Sequence, residues 1–166
     1  MTTANLAGRT CLITGASSGI GEETALGLAR LGARIVLVCR SRERGERTQA
    51  TIVEASGNRE IDLALGDLAS LASIRQLAKD LLATCPAIHV LVNNAGIVNL
   101  RRTTTLDGFE STFAVNHLGP FLLTNLLLDR IRGSQPARIV NVSSNGHRFG
   151  RLDLDDLQSE RRYGFM

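Results

Sequence analysis

Tryptophan is absent from these 166 residues, tyrosine occurs once and aromatics make up 4%. A core with so few rings must be built from aliphatic side chains. The composition is 43% hydrophobic, which suffices for one domain of this length. Proline is scarce at 3 and glycine plentiful at 16 without a three-residue period, which excludes collagen-like and disordered classes. The 3 cysteines, Cys11, Cys39 and Cys85, are odd in number, widely spaced and never form a CxxC pair. That excludes a disulfide framework and predicts buried, reduced thiols. His89, His117 and His147 lack metal-ligand spacing, so packing is expected of them rather than ligation, and no metal site is read. No apolar run nears the roughly 18 residues that span a membrane. The start, Met1 to Gly8, lacks the basic-then-apolar layout of a signal peptide, so a soluble cytoplasmic protein is expected. Lysine occurs once, at Lys79, and arginine carries the rest of the positive charge. With 16 acidic residues interspersed and a net charge of +3, no basic stripe suggests nucleic acid.

What is present is alternation. Arg9 to Thr14, Arg34 to Cys39, Ile61 to Leu65, Ile88 to Val92 and Arg138 to Val142 are short apolar runs that read as strands. Helical spacing fills the intervals: Gly19 to Leu31, Arg42 to Ala55, Leu71 to Leu82 with Ser70 as N-cap, and a long stretch from Leu106 to Arg132 that Gly119-Pro120 should bend. Five such alternations predict an α/β, Rossmann-type, doubly wound parallel sheet in three layers, with strand order 3-2-1-4-5, as a single domain over 1–166. Ligands in such sheets bind at the carboxyl ends, where the order reverses between strands 1 and 4. Leu122, Leu123, Leu126, Leu127 and Leu128 surround much of the last helix, as suits burial among several neighbours or a contact between copies of the chain.

Strand 1 ends in Thr14-Gly15-Ala16-Ser17-Ser18-Gly19-Ile20-Gly21, and a helix follows. A glycine triplet in that setting is a dinucleotide-binding signal. Gly15 permits the tight turn, Gly19 lets backbone approach a pyrophosphate, and Gly21 lets the helix pack close. Ser17, Ser18 and Ile20 ride on the same turn and join the candidate cofactor-binding residues. At the end of strand 2, where an acid would bind a ribose hydroxyl, stands Arg40, with Arg42 and Arg44 beyond. A guanidinium suits a 2′-phosphate, which predicts NADP in preference to NAD. The alternative is that Arg40 begins a solvated helix beside Glu43 and Glu46. Asp67-Leu68, after strand 3, fits an adenine amino group or an Asx-turn equally well. Asn93-Asn94-Ala95-Gly96, after strand 4, can bond strand-end backbone while leaving room for a ribose, which makes Asn94, Ala95 and Gly96 candidates.

Together these residues resemble the short-chain dehydrogenase/reductase family. TGASSGIG is similar to its TGxxxGxG turn and NNAG at 93–96 to its second signature. FAVNHLG at 113–119 resembles the helix with its structural-catalytic Asn, here Asn116, and RIVNVSS at 138–144 the strand leading to its catalytic Ser, here Ser144, with Ser143 as fallback. The stretches DGFESTFAVNHLGPFLLTNLLL and RIVNVSSNGHRFGRLDLDDL resemble the retinol dehydrogenase and WW-domain oxidoreductase branch. The resemblance implies hydride transfer between a nicotinamide and a small alcohol or carbonyl substrate, with Ser144 polarising the substrate oxygen and Asn116 holding a water. A non-catalytic NADP(H)-binding or scaffold module is the alternative. The family also implies a Tyr-x-x-x-Lys after the serine. Here the sole tyrosine is Tyr163 and the sole lysine is Lys79, so the motif does not occur in these residues. The chain therefore reads as the N-terminal part of such an enzyme, with Tyr163 in an insert and little turnover expected of these residues alone.

Overall fold

A computed structural model of the chain describes residues 5–150 and 152–164. Met1 to Ala4, Arg151 (inside one of the matched stretches) and the last two residues lie outside the described residues.

The five apolar runs become β1 (Thr10–Thr14), β2 (Arg34–Cys39), β3 (Ile61–Leu65), β4 (Val90–Asn93) and β5 (Arg138–Asn141). All pair in parallel, in the order β3-β2-β1-β4-β5. β1 lies at the centre, with Leu12 opposite Val36 on one side and Leu91 on the other. Successive strand residues point to opposite faces, so β1 feeds two cores. Leu12 joins Val36, Ile74, Leu77, Leu91, Leu123 and Leu127 on one face. Cys11 and Ile13 join Ala25, Ile35, Leu37 and Ile52 on the other. These are the three layers expected from the alternation.

The helices are α1 (Gly19–Arg30), α2 (Arg42–Ser56), α3 (Leu71–Thr84), the short α4 (Ser111–Phe113) and α5 (Gly119–Arg132). Serine side chains cap two of their starts. Ser41 Oγ accepts from Arg44 N and Ser70 Oγ from Ser73 N, each satisfying an amide that has no partner inside its helix. Gly57 ends α2 in the left-handed region, at φ 71°. On α5, Leu123, Leu127 and Ile131 are buried against α3 and the sheet, and Leu122 and Leu126 flank them.

The long helix expected from Leu106 onward is shorter and interrupted. Residues up to Phe109 form a loop closed by an isolated bridge between Thr104 and Glu110. The buried Glu110 carboxylate accepts from the amides of Thr112 and Phe113, so helical structure starts there. The bend expected at Gly119-Pro120 is a π-turn over Ala114–Leu118, in which Gly119 N donates to Ala114 O, five residues back. Gly119 has no side chain because a Cβ would lie 2.7 Å from Leu68 O. The turn thus fits the start of α5 closely against the loop that follows β3.

All three cysteines are free and buried. Burial pushes the Cys11 thiol up to about 11 and raises that of Cys39, consistent with inert core thiols. Among the described residues β5 pairs only with β4, and all four of its residues are exposed, which makes it an open edge of the sheet. Among the described residues no helix is long and apolar enough to cross a membrane.

Candidate functional site

The strand order reverses between β1 and β4, and the loops leaving both strands line one crevice. Its first chamber, about 390 Å³, is lined by Gly15, Ser17, Ser18, Ile20, Arg40, Arg44, Asp67, Leu68, Asn94, Ala95 and Gly96, among others. Ten of those are candidates read from the sequence. Gly19 and Gly21 belong to the same turn but are not part of the lining.

The glycines differ in what they do. Gly15 has φ +66°, and a Cβ there would lie 2.8 Å from Ala95 Cα. Both conformation and space therefore exclude a side chain. Gly21 sits where a Cβ would meet Asn94 Nδ2 and Gly15 O, each at 2.5 Å. It lets α1 close against the turn and against the end of β4. Gly19 has φ +56° with nothing within 4 Å of a Cβ, so its backbone is strained for other residues and its surroundings are open. An open, left-handed glycine at the start of a twelve-residue helix leaves amide groups accessible to an anion.

What ties the glycine turn to β4 is a residue the sequence reading did not single out. Thr14 is fully buried, and its Oγ1 accepts from Asn94 N and Ala95 N, both at 3.0 Å, while donating to Val92 O. Asn94 reciprocates by donating from Nδ2 to Thr14 O at 2.9 Å and to Gly15 O at 3.3 Å. The signal was present as a polar residue closing an otherwise apolar strand, but only the neighbouring strand's position shows what it bonds.

Asp67 realises one of its two readings. Its Oδ1 accepts from Ala69 N at 2.9 Å, which is an Asx-turn. The residue also lines the chamber, so the adenine reading remains sterically open. Arg40 is exposed and makes no ion pair among the described residues, whereas Arg42 pairs with Glu46 and Arg47 with Glu43.

The crevice continues past Asn94, Ala95, Gly96 and Ile97 into a second cavity of about 740 Å³. Ser143, Ser144, Asn116, Thr124 and Asn125 supply its polar wall, and Ile97, Val98, Phe121, Ile139 and Val142 its apolar one. Ser144 leaves β5 as the N-cap of a 3-10 turn over Asn145–Arg148. Its Oγ accepts from Gly146 N at 3.1 Å. The hydroxyl proton is thus free to be donated to a substrate oxygen. Asn116 sits in the π-turn, and its amide holds the loop after β4 from both sides. Its Oδ1 accepts from Ile97 N at 2.8 Å, and its Nδ2 donates to Ile97 O at 2.9 Å. A side chain so engaged acts as a brace for the loop after β4.

Deeper in the same wall, Asn93 donates to Asn141 Oδ1 at 2.8 Å and to Thr124 Oγ1 at 3.1 Å, linking β4, β5 and α5. His117 stacks between Phe113 and Phe121 at the cavity's rim. Tyr163 bonds to other residues than Ser144. Its hydroxyl donates to Asn99 O at 2.9 Å and lies 3.4 Å from Thr112 Oγ1, so the segment after β5 docks onto the loop between β4 and α4. Gln158 and Arg102 add to that dock: Gln158 Oε1 accepts from Glu110 N, and Arg102 Nε donates to Gln158 O. Lys79 is an exposed residue of α3 and lines neither chamber. Among the described residues no group of His, Cys, Asp and Glu could hold a metal ion.

Comparison with known proteins places this geometry. The sequence model described as short chain dehydrogenase matches residues 9–152. Dehydrogenase/reductase SDR family member 13 of Bos taurus is 53% identical over 154 residues, which are 93% of this chain and 40% of that protein. Retinol dehydrogenase 11 of Homo sapiens is 47% identical over 161 residues, or 97% of this chain and 51% of that protein. Among solved structures, a metagenomic short-chain oxidoreductase in complex with NADP superimposes with a TM-score of 0.74 at 33% identity, covering 84% of this chain and 63% of that one. The chain thus spans about half or less of the length of these two curated relatives.

Proposed function

The chain belongs to the short chain dehydrogenase family, and on that premise we propose that it forms the nucleotide-binding and substrate-polarising part of an NADP-dependent oxidoreductase acting on an alcohol or carbonyl compound. The observation that carries the nucleotide assignment is the unpaired Arg40 on the rim of a chamber whose floor is a glycine turn. The fit to a dinucleotide is steric as well as electrostatic. Gly15 and Gly21 allow the turn, α1 and β4 to close on one another, and the space above Gly19 is empty. The pyrophosphate would lie over the turn against the N-terminus of α1. Asp67 and Leu68 would flank the adenine, and Asn94, Ala95 and Gly96 the ribose next to the nicotinamide. When bound, the nicotinamide supplies or accepts the hydride.

The chain's own residues do the rest by position. Ser144 Oγ is held by Gly146 N and retains its proton to polarise the substrate oxygen. Asn116 fixes Ile97, one of the four residues shared by both chambers, and so sets the separation between nucleotide and substrate sides. The apolar wall of Ile97, Val98, Phe121, Ile139 and Val142 suits a substrate with an apolar body. The name of the human relative, retinol dehydrogenase 11, supports the same reading. Nothing in the site favours the non-catalytic alternative.

The experiment is calorimetric titration of the 166-residue chain with NADP and with NAD. One charge-assisted pair contributes about 1.5–3 kcal/mol, so NADP should bind roughly tenfold or more tightly. Arg40→Ala should remove much of that preference. Equal affinities for the two nucleotides would refute the assignment.

A further inference from the structure

The loop after β4 is held at two nearby points, and one residue lies between them. Ile97 is fixed through its amide and its carbonyl by Asn116. Two residues on, Asn99 O accepts from the Tyr163 hydroxyl at 2.9 Å. Val98, between the two, lines the second cavity and is 67% exposed. Packing therefore does little to place it, and the backbone on either side does most. Tyr163 belongs to the segment that leaves β5. That segment departs from the β5 side of the same cavity at Ser143 and Ser144 and turns through Asn145–Arg148. It returns to the β4 loop at Gln158, where Oε1 accepts from Glu110 N at 2.6 Å and the backbone carbonyl accepts from Arg102 Nε at 2.9 Å. Arg102 also reaches Glu160 at 3.7 Å. At Tyr163 the phenolic proton goes to Asn99 O, so the phenolic oxygen is left to accept from Thr112 Oγ1 at 3.4 Å.

From this arrangement we propose that Tyr163 is a positioning residue for substrate selection. Through Asn99 its hydroxyl sets Val98, and with it the width of the cavity between the β4 loop and Ser144, so that slender apolar carbonyl or alcohol compounds are favoured over bulky ones. The inference rests on the substrate reading above and adds a specificity determinant to it. Asn116 alone holds the loop at Ile97 and leaves the chain free to pivot beyond it. Glu110, the other anchored residue of the loop, lies eleven positions past Asn99 and is too remote along the chain to hold Val98. The Tyr163 bond closes that gap. It also ties together the two strand-end segments that line the cavity, so their separation is fixed before a ligand arrives.

The test is an NMR titration of the 166-residue chain, saturated with NADP, with two ketones of equal carbon number, the linear 2-decanone and the cage-shaped 2-adamantanone. Affinities are read at the amides of Val98 and Ser144. Tyr163→Phe keeps the ring and removes only the hydroxyl. It should raise the affinity for the cage ketone relative to the linear one by about threefold to fivefold, the scale of one hydrogen bond, and leave NADP affinity unchanged. A merely structural loss would weaken both ketones alike and leave their ratio as it was. Val98→Ala should raise the same ratio by itself, and Tyr163→Phe should add little in that background, because both changes act on one side chain. An unmoved ratio in Tyr163→Phe beside a raised one in Val98→Ala would overturn this inference and leave the substrate reading standing. If neither ketone shifts the Val98 and Ser144 amides of the wild type, both fall.

Discussion

Replacing Thr14 by valine isolates the link between the glycine turn and the end of β4. Valine matches threonine in shape, so the fully buried site is neither emptied nor overfilled. What is lost is one hydroxyl with three partners: Asn94 N, Ala95 N and Val92 O. The partners are not equally affected. Asn94 N also donates to Val92 O at 3.1 Å, so that pair survives and satisfies both atoms. Ala95 N is left without its acceptor, and an unmet amide costs about 1–3 kcal/mol according to its access to water. Ala95 is only half-buried, which favours the lower part of that range. Adding a fraction for the weakened Asn94 contact gives an expected loss of about 2 kcal/mol. In a chain of this size that corresponds to a fall in Tm of roughly 4–8 °C. Urea unfolding of wild type, Thr14→Val and Thr14→Ser is the assay. Serine keeps the hydroxyl and should lose only about 1 kcal/mol, for the missing methyl. NADP affinity should fall with Thr14→Val and hold with Thr14→Ser, because the bond joins two cofactor-binding segments. A loss below about 0.5 kcal/mol in Thr14→Val, or a larger one in Thr14→Ser, would refute this account of the hydroxyl.

Gly15→Ala should be more severe, since Ala95 Cα lies 2.8 Å from the new methyl and φ is +66°; nucleotide binding should be abolished, and calorimetry that finds wild-type affinity would contradict the steric reading. His89 Nδ1 accepts from Thr10 N at 3.0 Å, and burial, with a smaller effect of Arg9, lowers the pKa of this imidazole. A histidine with a depressed folded pKa contributes stability that is complete above its unfolded value, about 6.5, and is lost as pH falls through the folded one. The urea midpoint should therefore drop between pH 8 and pH 5, with a flatter profile in His89→Gln; identical profiles would remove His89 as the cause. Tyr163→Phe should raise amide exchange in residues 99–112 and 152–164 together, with β1 to β4 unaffected, because its hydroxyl joins those segments. Exposed β5 should drive concentration-dependent self-association visible by sedimentation, and a strictly monomeric sample at high concentration would count against an active edge.

Much of the fold follows from the chain's own periodicities. Apolar runs too short for helices, separated by helical stretches with Ser70 as a cap, dictate parallel strands with crossovers. The glycine turn and the NNAG segment were legible because each consists of residue types that few other conformations need. Local pattern failed between Leu106 and Leu118. There the helix start depends on a buried Glu110 and the π-turn on the closeness of Leu68, neither of which a helical period encodes. Asn116 likewise reads as a polar residue on a helix, and only the folded chain shows that it braces Ile97.

The strand order, the crevice between β1 and β4 and the glycines that open it were readable from residue order alone, because they depend on hydrophobic period, chain connectivity and backbone freedom. Tertiary structure alone decided which polar groups meet. Thr14 is eighty residues from Asn94, Asn93 lies forty-eight from Asn141, and Tyr163 lies sixty-four from Asn99. Arg44 differs from Arg42 only in which face of α2 it occupies and in what that face adjoins. Hydrogen bonds and ion pairs act over about 3 Å and depend on direction, so their partners are set by where distant segments come to rest.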